Sequence, residues 1–176
     1  FPVEFMTAVL NNGGGFYSLT AYVEEARRMG IAIEPPDVAY ADLLFTRNGK
    51  AVVSALYPVY GLSKKGVDRI VAERERESFR DLIDFLQRVR LQENEALALA
   101  RAGALRSICP SEPQAIAVTR IFYRNRRKAA IARRLTEDLS LPPYTMPQRV
   151  AAELETLRFA VSAHPPPATT ARAGFF

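Results

Sequence analysis

The apolar positions of this chain recur mostly at helical spacing. Phe5, Met6, Val9 and Leu10 mark a first helix over residues 2–11, stopped by Asn12 and the Gly13-Gly14-Gly15 run. Ser18 is placed to cap a second helix whose stripe is Leu19, Tyr22, Val23, Ala26 and Met29, with Arg27 and Arg28 in its last turn and Gly30 behind them. The pattern then shortens. Residues 31–33 form a strand candidate ended by Pro35-Pro36, and residues 43–46 and 51–56 flank Asn48-Gly49, a hairpin signal. Helical spacing resumes with Val67, Ile70 and Val71, which share one face. Phe79, Leu82, Ile83, Phe85 and Leu86 follow in a helix that Ser78 is expected to cap, and a further helix over 93–102 ends at Gly103. Residues 113–139 read as one long helix in which Ile116, Ile121, Phe122, Ile131 and Leu135 supply apolar contacts without a single stripe. Residues 140–147 (SLPPYTMP) form a linker, and Pro147 opens a last helix over 148–160 with Val150, Leu154, Leu157 and Val161 on one side.

The stretch LYPVYGLSKKGVDRIVAERE, from Leu56 to Glu75, organises the rest. It predicts a short helix, a tight turn at Gly61-Leu62-Ser63 and a second helix from Lys64. Such a turn presents unsatisfied backbone N–H groups at a helix start, where the macrodipole also favours an anion, and Lys64 and Lys65 stand beside it. Glycine at 61 lets the backbone bend and approach closely. The form is a helix-hairpin-helix, and its fitting ligand is a nucleic-acid backbone. The plainer alternative is a Gly connector with a solvated Lys pair. Gly103 and the short element starting at Ala104-Leu105 make a second helix–Gly–helix unit, so the two form a tandem pair.

Charge adds a second candidate surface. The chain has 24 Lys and Arg against 19 Asp and Glu, a formal charge of +5. That balance suits an anionic partner. No acid falls between Glu112 and Glu137, while Arg120, Arg124, Arg126, Arg127, Lys128, Arg133 and Arg134 all do. Arg126, Arg127 and Lys128 are the candidate phosphate contacts, against a plainer reading as a solvated basic face.

Composition narrows the chemistry. The 176 residues, 48% of them apolar, suffice for one domain or two small ones. One cysteine, Cys109, excludes an internal disulfide framework, and with a single His it argues against a metal site built on sulfur or nitrogen. No apolar run approaches the roughly 20 residues a membrane helix needs, and a cytoplasmic location is the default. Metal-assisted nucleotidyl transfer needs paired carboxylates in one pocket, yet the chain has no Asp-x-Asp, and its acids sit on helix faces such as Glu24-Glu25 and Glu73 to Glu77. P-loop and GxGxxG motifs are also missing. Ser140 and Ser162 have no activating partner, and His164 precedes three prolines. No catalysis by this chain alone is expected.

Seven segments in order then carry a resemblance: FPVEFMTAVLNN, YVEEARRMGIAIEPPDV, the hairpin, YGLSKKGVDRIVAERE, SFRDLIDFLQRV, LARAGAL and ELETLRFAVSAHP. From Phe1 to about Pro165 the chain resembles the alpha subunit of bacterial DNA polymerase III. The resemblance implies a mainly α fragment with one small β-hairpin and a tandem helix-hairpin-helix. Residues 1–37 would be the end of a fingers-like region and 38–108 the hairpin and tandem unit. The basic helix, linker and last helix would fill 109–165, leaving a tail over 166–176. In that family the tandem unit holds the duplex product behind the active site through its backbone. The carry-over falls on Gly61, Leu62, Ser63, Lys64 and Lys65, with Gly103 and Ala104 in the second unit. Implied partners are the primer–template duplex and the remainder of the polymerase chain, with no membrane. No cofactor is implied for this fragment, and Mg²⁺ is implied for the parent, whose palm carboxylates would lie upstream. The rival class is a helical interaction or scaffolding module without DNA contact; an amphipathic binder of anionic membranes would rest on the basic helix alone. The GGGFY run resembles non-principal paralogues. The chain departs from the family pattern at Ser63, where a second glycine is usual, at Ala39 (Asn), at Arg158 (Gly) and in SAHP, where SGHP is usual.

Overall fold

The central strand of a small sheet, β3 (Ala51–Val53), is buried along its whole length. It pairs in parallel with β1 (Ala32–Glu34) and antiparallel with β2 (Thr46–Asn48), giving the order β1-β3-β2. Burial on both faces is why these residues read as an apolar run rather than an alternation. Asn48 pairs with Ala51 across the two-residue turn Gly49-Lys50, as the hairpin signal predicts. The strands are shorter than expected: Leu43 and Leu44 lie before β2, and residues 54–56 continue past β3 through single bonds, including Leu56 N–H to Asp42 O at 2.8 Å. These contacts come from a computed structural model, which describes residues 1–12 and 17–162. Most of GGGFY, His164 and the C-terminal tail lie outside the described residues.

Two helices pack on the sheet, α1 (Pro2–Asn12) against β2 and β3 and α2 (Leu19–Arg28) against β1. Ser18 caps α2 as predicted, accepting from Ala21 N–H. Two apolar positions of the predicted stripes face outward instead: Phe5 and Met29 are exposed. The remaining helices are α3 (Lys64–Arg76), α4 (Leu82–Val89), α5 (Glu93–Arg101), α6 (Glu112–Arg124), α7 (Ala129–Thr136) and α8 (Met146–Leu157). α6 is the hub, packing on α4, α5 and α7, while α3 packs on α4 and α5 on α8. One contiguous apolar core joins sheet and helices, from Met6 and Leu10 to Leu157 and Phe159. The chain is therefore mainly α with a small sheet, to which β1 adds a third strand beside the predicted hairpin.

Four predicted elements are corrected. Residues 55–61 form consecutive turns, not a helix; Leu56 and Val59 are buried, and Val59 N–H bonds Leu56 O at 3.1 Å. Asp81, not Ser78, caps α4, because its carboxylate accepts from Asp84 N–H at 2.8 Å. Phe79 instead packs edge-to-face on Phe85 with ring centroids 5.0 Å apart. The long basic helix breaks in two after Arg124. Asn125 there bonds its own segment, its side-chain amide donating to Ile121 O at 2.9 Å, a competition with helix that Asn makes readily. The following Arg126, Arg127 and Lys128 are exposed. In α8, Leu154 is part-exposed while Glu153 is buried in its place. Among the described residues, no helix is long and apolar enough to cross a membrane.

Candidate nucleic-acid interface

The first hairpin turn hangs between two buried anchors, Val59 and Val67. Gly61 between them has φ 92, a left-handed conformation that costs any side chain with a Cβ. The backbone then returns to ordinary geometry: Ser63 is the N-cap of α3, with φ −80 and ψ 154. The strain that a residue other than glycine would suffer therefore falls on Gly61 and not on Ser63. Leu62 is half-buried against the core, so it can offer a ligand only backbone.

The donors of this turn divide into two groups. Ser63 turns both of its donors inward: its N–H reaches Glu95 Oε1 at 3.1 Å and its hydroxyl donates to the same oxygen at 2.5 Å, while accepting from Gly66 N–H at 3.0 Å. Glu95 is 7% exposed. Burial would raise its carboxyl, but bonds from the Ser63 hydroxyl, Gln92 N–H and Ser63 N–H outweigh that and hold it below the usual carboxylate range. The N–H groups of Lys64 and Lys65 point the other way. Among the described residues neither has an acceptor, and both lysines are exposed. Lys64 Nζ meets Asp68 at 3.1 Å in an open i,i+4 pair, a contact worth only about 0.3–0.5 kcal/mol. Of the five residues predicted here, the structure gathers Gly61, Lys64 and Lys65 at an open helix start. Leu62 and Ser63 serve mainly inside.

The second unit is built differently. Gly103, with φ 71, closes α5: its N–H bonds Ala100 O at 3.2 Å and Ala104 N–H bonds Leu99 O at 3.0 Å, the paired bonds of a Schellman ending. The N–H groups of Gly103 and Ala104, which the resemblance carries over as contacts, both already complete the helix. The Arg106 guanidinium lies directly over Gly103, where an added Cβ would fall 2.5 Å from it. Arg106 is held there by Glu112 (2.9 Å) and Glu153 (3.5 Å), and Arg149 reaches Glu112 from α8 at 3.0 Å. The two carboxylates are 2% and 1% exposed. Glu112 is held below the usual range because its own N–H, Arg106 and Tyr144 N–H together outweigh burial. Asp37 pins the far side, accepting from Ser107 N–H at 2.9 Å and from the Ser107 hydroxyl.

The third predicted group, Arg126, Arg127 and Lys128, sits in the break between α6 and α7, fully exposed. Arg126 lies over the Tyr123 ring at 5.5 Å. The Tyr123 hydroxyl donates to Leu91 O at 2.6 Å, and burial pushes it up to about 12. The structure does not bring this group to the Gly61 turn itself; it brings Arg126 into the lining of a cleft that α3 and α4 share. Sequence reasoning missed Glu95, Asp37, Arg106, Glu112 and Glu153. Only Glu95 left a local sign, three residues after Gln92 in a capping box.

Two turns with glycine at positive φ, one ahead of α3 and one behind α5, sit on a shared core. Residues 30–115 match the family described as the helix-hairpin-helix motif. The chain is 28% identical over 187 residues to the DNA polymerase III subunit alpha of Deinococcus radiodurans, a match covering 94% of this chain and 14% of that protein. It is 29% identical over 176 residues to an error-prone DNA polymerase of Ralstonia nicotianae, covering 93% of this chain and 16% of the relative. With the error-prone DNA polymerase of Alkalilimnicola ehrlichii it shares 34% identity over 113 residues, 61% of this chain and 11% of that one. The resemblance to the DNA polymerase III alpha family thus extends over most of the chain, which spans only 11–16% of the length of these relatives.

Proposed function

We propose that this chain grips duplex DNA, without regard to base sequence, as one part of a bacterial DNA polymerase of the alpha type. The observation that carries the reading is the start of α3. Among the described residues, two adjacent N–H groups, at Lys64 and Lys65, lack acceptors at the exposed end of a 13-residue helix, with their own cationic side chains beside them. Backbone donors, macrodipole and charge there all favour one ligand, a phosphate. Such contacts position a protein on the duplex and carry no base information. In this reading the partners are the primer–template duplex and the rest of the polymerase chain, in the cytoplasm. Nucleotidyl transfer with Mg²⁺ belongs to the whole polymerase, and the 176-residue chain should extend no primer by itself.

The inward bond of Ser63 to Glu95 supports a second reading, in which the turn only ties α3 to α5 and the segment is a scaffold. Fluorescence anisotropy on two duplexes of unrelated sequence separates the two. Gly61→Val should weaken binding to both duplexes alike and more than Lys64→Ala does, with helical circular dichroism retained. Normal binding by a folded Gly61→Val protein would put the scaffold reading ahead.

A further inference from the structure

The cleft between α3, α4 and the α6–α7 corner, about 1110 Å³ in volume, is lined by six arginines. They fall into two sets. Arg88 is bonded to Glu73 and Asp84, Arg80 to Asp84 and Arg76 to Glu73, all within 3.3 Å. These three have their counter-charges inside the protein. Arg69, Arg90 and Arg126 are not paired in this way: among the described residues no carboxylate lies within 4.0 Å of any of them, although the buried Glu95 attracts Arg69 from farther off. Yet all three are held in place. The Arg69 guanidinium donates to Arg90 O at 3.1 Å, and Arg90 Nε donates to Gln87 O at 3.4 Å. Arg126 rests on Tyr123, which is fixed to Leu91 O. Three cations therefore collect around the single corner Arg90-Leu91, and like charges so placed repel unless an anion from outside joins them. Arg69 also stands one helical turn from Lys65, so the set is continuous with the first hairpin.

We propose that Lys65, Arg69, Arg90 and Arg126 form one track for the sugar-phosphate backbone of duplex DNA, running from the hairpin along α3 to the α6–α7 corner. This rests on the duplex-binding reading above and assigns its contacts. Arg127 and Lys128 lie outside the cleft lining and are not part of the track; Arg88 joins the cleft walls through Glu73, while Arg76 and Arg80 each pair within their own wall.

The test is the salt dependence of duplex binding by the 176-residue chain, read by anisotropy across a sodium chloride series. Arg126→Gln and Arg90→Gly should each lower the slope of log K against log salt by about 0.9, the value of one phosphate contact. Arg76→Gln should leave it unchanged. Arg90 is informative because its φ is 54, so glycine relieves strain there. The variant should melt at or above the parent temperature while binding less steeply, which a purely structural arginine would not do. Arg69→Gln should act like Arg126→Gln, and Arg69→Lys should restore the slope. If the unaltered chain binds duplex but Arg90→Gly and Arg126→Gln keep its slope, the track is wrong and the hairpin reading stands. An equal loss in Arg76→Gln would also overturn it, since the contact would then be diffuse. No duplex binding by the unaltered chain overturns both.

Discussion

The two hairpin units share a plan, with a positive-φ glycine next to a helix, and use it in opposite ways. In the first, Gly61 lies ahead of a helix and leaves the N–H groups of Lys64 and Lys65 facing solvent. In the second, Gly103 lies behind a helix, and the bonds from its own N–H and that of Ala104 seal α5. The next helix start, at α6, already contains an anion, because Glu112 occupies its first turn and is bridged by Arg106 and Arg149. A glycine turn in a sequence therefore does not say whether a helix end is open. The residues just beyond it decide: Ser-Lys-Lys leaves cations and donors exposed, whereas the second unit turns its cation onto buried carboxylates. The first unit is suited to binding and the second to holding the fold.

The contrast predicts different losses on mutation. The largest is expected in the second unit. Arg106→Ala should destabilise the chain by about 3 kcal/mol, because it leaves Glu112 and Glu153 buried with fewer partners, while the affinity of the folded protein for duplex stays near the parent value. Urea denaturation and anisotropy together measure both, and a marked affinity loss without a stability loss would reverse the assignment of roles. Gly61→Val comes next. Forcing a β-branched residue to φ 92 should cost about 1–2 kcal/mol of stability. It should weaken duplex binding by about tenfold, equivalent to about 1.4 kcal/mol.

A smaller effect concerns the acid limb. Glu95 and Glu112 are both held below their ordinary value of 4.5 in the folded chain. Their stabilisation is therefore fully present above that pH and is lost as pH falls below it through their folded values. Melting temperature should be level between pH 7 and pH 5 and decline below about 4.5. Glu95→Gln should show a shallower decline, because one of the two groups is then absent. An identical decline would mean that the Ser63–Glu95 tie contributes nothing. The least effect is expected at Arg158, which adopts φ 69 and stacks on Tyr60 at 5.2 Å. Glycine would relieve about 1 kcal/mol of backbone cost and forfeit about 0.5–1 kcal/mol of cation–π attraction. Arg158→Gly should accordingly melt within a few degrees of the parent.

Much of the first unit was legible in the sequence because its determinants are local. The start of α3 at Lys64 and the buried face of Val67 and Ile70 lie within two turns of one another. The hairpin at Asn48-Gly49 was legible for the same reason. The second unit was not, since its polarity depends on partners far along the chain: Glu95 meets Ser63 across 32 residues and Asp37 meets Ser107 across 70. No spacing rule reports such pairs. The basic run misled in another way. Its composition suits helix, and the break at Asn125 shows only in the folded chain, where α6 ends at Arg124 and Arg126, Arg127 and Lys128 are exposed.

The C-terminal end of α8 folds back onto the beginning of the molecule. Tyr60 N–H bonds Thr156 O at 2.8 Å, the Thr20 hydroxyl bonds Arg158 O at 2.8 Å, Arg27 donates to Ala160 O and Val161 O, and Phe159 packs on Phe45. Contacts across 133–138 residues close slowly, because a long loop must be ordered before they reward it. During synthesis, at about 5–20 residues per second, the first hairpin would leave the ribosome some 5–20 s before the segment that clasps Tyr60. The turn proposed to hold DNA is thus completed only once α8 has been made. A ribosome stalled before α8 should display a hairpin more open to protease than the finished protein does.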